Sequence, residues 1–205
     1  MLSKLYHNLK GMKVKMEKLI EWIKILSQKA YTKYIMISFM FTMFLMENSI
    51  FGKGYLQKII PNFKMLDMNF YNRPEQIVEF INSLGKAGRS GYFNLLIIDL
   101  LLIAVLFLFQ STLLTKSLKE VNRLDLAKIV IALPLIRAIA DLFETISLMS
   151  IIKLLPNTSS IPVYITTIFT PIKWIFMILS LSCLVVLLVM KVSKKLKEKN
   201  IELLN

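Results

Sequence analysis

The sequence contains one cysteine, Cys183, and one histidine, His7. A lone cysteine excludes an internal disulfide and any paired-thiol redox centre. A lone histidine in a basic N-terminal segment excludes His-rich zinc sites, and Ser–His or Cys–His triads, from the apolar part of the chain. Glycine and proline are scarce, six of each in 205 residues, and no Pro/Gly/Ser-rich linker divides the chain, so one unit is expected. Acidic residues are also few, 13 against 26 basic ones, for a net charge of +13. Such an excess raises nucleic acid as a partner, but basic residues also crowd the cytoplasmic flanks of membrane proteins. A hydrophobic content of 56% and a mean hydropathy of +0.61 exceed those of an ordinary soluble domain and favour the second explanation. Nucleic acid is therefore not expected as a partner.

What the chain has in abundance is long apolar runs, and one of them is charged in its middle. Pro134 to Lys153 has the length and apolarity of a membrane-spanning helix, yet it carries Arg137, Asp141 and Glu144. At about 100° per residue, these positions share one face within an arc of roughly 60°. Each would cost about 2.5–3.5 kcal/mol at the centre of an isolated spanning helix, so they require partners or water inside a bundle.

Around this stretch the expected fold is all-α, a polytopic membrane protein built as a four-transmembrane-helix bundle. Residues 1–33 read as a basic amphipathic cytoplasmic helix and not as a cleavable signal, because the charged region is too long and no small-residue cleavage pattern follows. Its apolar stripe is Leu5, Leu9, Met12, Met16, Leu19, Ile23 and Leu26, with Trp22 beside it; the helix suits a membrane surface or a partner helix, the former favoured. The bundle occupies 34–190, with spans at about 34–51, 92–115, 126–152 and 162–190, and 191–205 form a basic cytoplasmic tail. In the first span Met36, Met40, Met43 and Glu47 share a face, which reads as adaptable packing. Between the first two spans, Asn72 as a cap, Pro74 in the first turn and Gly85 at the end predict a short extracytoplasmic helix. The Gly85–Gly91 stretch with Lys86 and Arg89 reads either as a turn holding an anion or as a flexible turn with snorkelling cations. Pro134 and Pro171 are expected to bend their helices.

Lysine and arginine number 17 in the N-terminal segment, the 116–128 connection and the tail, against 7 on the other side. The positive-inside rule then places the protein in the cell membrane with both termini cytoplasmic. Depths estimated from the span ends bring Asp99, Glu144, Lys173, Asp141 and Arg137 to similar levels. The expected site is a polar pocket open to the outside, lined by Arg89, Tyr92, Asp99, Arg137, Asp141, Glu144, Thr170 and Lys173, with three carboxylates facing two cations.

The motifs Gly85-x-x-Gly88-Arg89-x-x-Tyr92 followed by Asp99, Asp141-x-x-Glu144 and Thr170-x-x-Lys173-Trp174 resemble a family of uncharacterised four-helix integral membrane proteins of bacteria and fungi. The resemblance covers about Gly85 to Met190. The family's third-helix motif usually reads D-x-x-E-N, and Thr145 stands here in place of the asparagine. The resemblance implies the four-helix fold and the same polar residues, and no activity.

Three functions are compatible with these residues. The one placed first is binding or moving a lipid or small amphiphile, with Arg89, Arg137 and Lys173 attracting an anionic head and apolar walls holding a tail. The second is a membrane-embedded acid–base enzyme, an isomerase or a transferase acting on a lipid, using Asp141, Glu144 and Lys173. The third is an accessory or immunity-type subunit that docks on a membrane-protein partner or on its own copies. Neither a metal site nor a cofactor is expected, since the cations beside the carboxylates disfavour a bound metal ion.

Overall fold

The computed structural model describes the backbone of residues 2–48, 52–60, 63–157 and 159–202, and side chains within these except 2–13, 29–30, 198–199 and 201–202. The expected end of the first span at Phe51, and the side chains of His7 and of the stripe residues Leu5, Leu9 and Met12, lie outside the described residues. The described residues are 89% helical, with no strand among them, so the fold is all-α.

In order, the elements are α1 (Leu2–Leu26), α2 (Lys29–Asn48), α3 (Lys53–Ile59), α4 (Pro74–Ser83), α5 (Gly85–Glu120), α6 (Ala127–Leu154) and α7 (Ser160–Glu202). Short 3-10 turns at Leu66–Met68 and Leu124–Leu126 lie between them. Three stretches, Tyr31–Ile59, Gly85–Glu120 and Ser160–Lys197, are long and apolar enough to cross a membrane. The α6 helix is 28 residues long but holds Arg137, Asp141 and Glu144 at its centre, so composition alone does not qualify it.

The helices run past the expected spans, because a fall in hydropathy marks where charge begins and not where a helix must stop. The α7 helix continues through Lys191, Lys194 and Lys195, and Lys191 Nζ reaches Glu120 at 2.8 Å. Both α6 and α7 continue through their internal prolines, Pro134 and Pro171. The α5 helix stops in a hydrogen-bonded cap: Asn122 adopts a φ of 59°, Arg123 N–H donates to Leu118 O at 2.9 Å and Asn122 N–H to Lys119 O at 3.2 Å. This pattern satisfies carbonyls that the helix end leaves free.

The α6 and α7 helices form the most extensive pair, and α5 packs on both. The α2 helix rests on α5 and α3, with Phe39 stacked on Phe109 at 4.6 Å, and makes little contact with α6 or α7. Two apolar clusters hold the ends. At one end Leu56, Ile77, Ile81, Tyr92, Leu95 and Ile151 are almost fully buried. At the other, Ile20 and Ile23 of α1 join Leu114, Leu118, Ile131 and Leu187. Lys128 Nζ meets Glu17 at 2.9 Å across the same joint. The described part of the α1 stripe thus packs on the protein's own bundle, while Trp22 remains 48% exposed.

The segment from Gly85 to Tyr92 is helical and is not the expected turn. Gly85, with a φ of 62°, ends α4 and lets the chain turn into α5. Gly88 and Gly91 seat α3, since a Cβ on Gly88 would lie 2.7 Å from Ile60 Cδ1, and one on Gly91 2.8 Å from Leu56 Cδ2. Asn72 also differs from its expected role. The residue before α4 is Arg73, whose N–H is accepted by Gln76 Oε1 at 2.9 Å. Asn72 is buried instead, donating to Leu66 O at 2.9 Å and accepting from Asn69 at 2.8 Å, which ties the 63–73 loop to itself.

Candidate functional site

The charged residues of α6 meet partners from three directions. Within α6, Arg137 Nη1 donates to Asp141 Oδ2 at 2.9 Å, the i, i+4 pairing that the helical period permits. Across to α5, Arg137 Nη2 donates to the Ile103 carbonyl at 3.2 Å. From α7, Lys173 Nζ lies 2.6 Å from Glu144 Oε2 and 3.2 Å from Asp141 Oδ1. One turn earlier on α7, Thr170 donates to Glu144 Oε1 at 2.6 Å. Relative exposures are 1% for Arg137 and Glu144, 7% for Asp141 and 8% for Lys173. Charges buried to this degree are tolerable only with such partners.

Asp99 joins the group through a neutral residue. Thr145 Oγ1 donates to Asp99 Oδ2 at 2.7 Å. No cation forms an ion pair with Asp99 among the described residues, although it is 6% exposed.

A further member, Asp67, was not among the expected site residues. It sits in the Leu66–Met68 turn, where the buried side chains of Phe63, Met65 and Leu66 draw the loop onto the bundle. Its carboxylate lies 3.6 Å from Lys173 Nζ, and its carbonyl accepts the Trp174 indole N–H at 3.1 Å. Adjacent residues of α7 therefore hold the side chain and the backbone of one loop residue. The network comprises four carboxylates and two cations.

Beside it lies a cavity of about 150 Å³. Asp67, Asp99, Arg137, Asp141 and Lys173 form its polar side, and methionines from α2, the loop and α7 form much of the rest. It occupies the gap left where α2 does not close against α7. Glu47 stands at its edge and pairs with Lys53 at 3.3 Å.

Of the expected pocket residues, Asp99, Arg137, Asp141 and Lys173 line this cavity. Glu144 stands behind Lys173 and pairs with it, and Thr170 in turn donates to Glu144. Tyr92 is fully buried among Phe63 and Phe80, at 5.9 and 5.6 Å between ring centroids, in the apolar cluster above the site. Arg89 does not line the cavity. It precedes Asp99 by ten residues, about 15 Å along α5 at the usual helical rise. Of the expected acid–base pair, only Asp141 reaches the cavity. Gln110, on the same side of α5 as Asp99, donates to Met177 Sδ at 3.0 Å. Among the described residues, no group of three or more His, Cys, Asp or Glu side chains is arranged to hold a metal ion.

Comparison of the chain with protein-family models, with curated proteins and with solved structures returns no match.

Proposed function

We propose that this is an integral membrane protein in which α2, α5, α6 and α7 cross the bilayer as a four-helix bundle, and that the cavity binds or moves a lipid or small amphiphile. One observation carries the reading: ionisable side chains are buried together at a cavity inside a bundle whose outer faces are apolar. In α6, Ile129, Ile139, Phe143 and Ile146 are 45–69% exposed while Arg137 and Glu144 are 1% exposed. A water-soluble protein has the reverse distribution, and apolar surface on this scale marks contact with lipid or a partner. At about 1.5 Å per residue the 28 residues of α6 extend about 42 Å, more than the ~30 Å of a hydrocarbon core. The basic flanks favour cytoplasmic termini, with α3, α4 and the 63–73 loop on the outer side.

The cavity volume limits what enters. Pockets for drug-sized molecules are about 300–1,000 Å³, whereas a cavity of about 150 Å³ is of the size that admits benzene. A small head enters, and the rest of an amphiphile stays in the gap between α2 and α7, beside the methionines.

The test is native mass spectrometry of the detergent-extracted protein beside a Lys173→Ala, Asp141→Asn double variant. A defined small-molecule adduct is expected on the parent protein and not on the folded variant. An adduct retained equally by both, or none on the parent in lipid-supplemented samples, would count against binding at the cavity.

A further inference from the structure

Resting on the reading of this cavity as a ligand site, we infer that the head it receives is cationic, an amine or quaternary ammonium on an apolar chain. The cations of the site are already engaged. Lys173 lies within 4 Å of three carboxylates, and Arg137 is held by Asp141 and the Ile103 carbonyl. An anionic head would have to displace an existing partner from Lys173, or be held by the single unpartnered Nε–H of Arg137. Arg89, the remaining basic residue expected at the pocket, does not reach the cavity.

Acid is the group in excess. Four carboxyl groups against two basic side chains leave two acids without a matching base. The shortfall faces the cavity at Asp99, whose Oδ2 is occupied by Thr145 and whose Oδ1 has no hydrogen-bonding group among the described residues. Asp67 Oδ1 is likewise buried without a hydrogen-bond partner. A buried carboxylate that lacks a counter-charge attracts a cation and repels an anion, and the low local dielectric strengthens both effects.

The walls have matching chemistry, independent of the carboxylates. Trp174 lines the cavity together with Met43, Met46, Met65, Met68 and Met177. An indole face attracts ammonium groups, which aromatic cages exploit for quaternary amines. Methionine side chains are polarizable and adjust to the alkyl groups of such a head. About 150 Å³ suits an amine or a small quaternary ammonium, heads of about the size of benzene.

The chain supplies its own reporter. It has two tryptophans, and Trp22→Phe leaves Trp174 alone. Purified Trp22→Phe protein in a neutral detergent is titrated with three brominated decyl probes bearing trimethylammonium, hydroxyl or sulfate, and quenching of Trp174 is followed. The ammonium probe is expected to quench saturably at a concentration lower by roughly tenfold or more than the alcohol, with no saturable quenching by the sulfate. Asp99→Asn should remove that preference while leaving quenching by the alcohol. If Asp99→Asn does not fold, Asp67→Asn reads the same loss. Saturable quenching in which the alcohol or sulfate matches the ammonium, or a preference that survives these substitutions, overturns the cationic head and leaves the cavity as a ligand site. Absence of saturable quenching by all three probes overturns both.

Discussion

Lys173 lies 2.6 Å from Glu144 and, through the same ammonium, 3.2 Å from Asp141 and 3.6 Å from Asp67, so one side chain joins α6, α7 and the loop above them. Its position makes it a structural keystone as well as a wall of the cavity.

Replacing Lys173 with methionine keeps the volume and removes the charge, leaving three carboxylates with one fewer counter-ion. Loss of one partner of a buried ion pair costs about 3–5 kcal/mol. Thermal unfolding in detergent should fall by roughly 10 °C, with Lys173→Arg closer to the parent protein. An unchanged midpoint for Lys173→Met would show that the carboxylates do not depend on this cation.

Thr145→Val deletes the hydroxyl that Asp99 accepts and is expected to cost about 1–3 kcal/mol, the penalty of a buried acceptor stripped of its donor. Thr145→Asn retains a donor and should lie nearer the parent protein. Equal losses for valine and asparagine, measured in the same unfolding assay, would mean that the hydroxyl's donor role is not what matters at this position.

At Gly91 the approach of α3 sets the tolerance. Gly91→Ala meets the side chains of Leu56 and Tyr55, of which only the flexible end of Leu56 must shift, whereas Gly91→Leu must push α3 away and should cost about 1–3 kcal/mol. Arg89→Ala, two residues earlier and away from that contact, should stay within about 0.5 kcal/mol. Comparable effects at the two positions would contradict the seating of α3 on α5.

Sidedness is open to direct labelling. In a Cys183→Ser background, a cysteine at Tyr71 in the exposed loop and one at Ser193 beyond the last apolar run are offered an impermeant maleimide in intact cells. Only the Tyr71→Cys protein should react before lysis, and both should react after it. Reaction of Ser193→Cys in intact cells would reverse the assigned orientation.

The core of the site was legible in the sequence because it lies on helices. A period of about 3.6 residues puts Arg137, Asp141 and Glu144 on one face without reference to any partner. The rest depended on tertiary contact. Asp67 lies in an irregular loop without a period, where an acidic residue looks like any solvated one until Phe63, Met65 and Leu66 bury it. The glycines from 85 to 91 looked like a turn because glycine disfavours helix. The reason for Gly88 and Gly91 is another helix lying against them, which local sequence does not encode. For α1, the stripe through Met16, Leu19 and Ile23 favours a lipid surface because its flanks are basic, and it is the Leu114–Leu118 surface of α5 that takes it instead.

The pairing pattern of α6 has a consequence for biosynthesis. Arg137 and Asp141 pair within one helix, so in the proposed membrane topology they would enter the insertion machinery already matched. Glu144 has no such companion in α6; its ammonium arrives 29 residues later, on α7. The smallest unit with its charges matched is therefore the α6–α7 hairpin, and the two helices should leave the translocon together. A nascent chain ended at Asn157 should leave α6 poorly integrated, restoration of α7 should integrate it, and a Glu144→Gln chain should lose much of that dependence. Efficient integration of α6 in the unmodified truncated chain would remove the need for joint release.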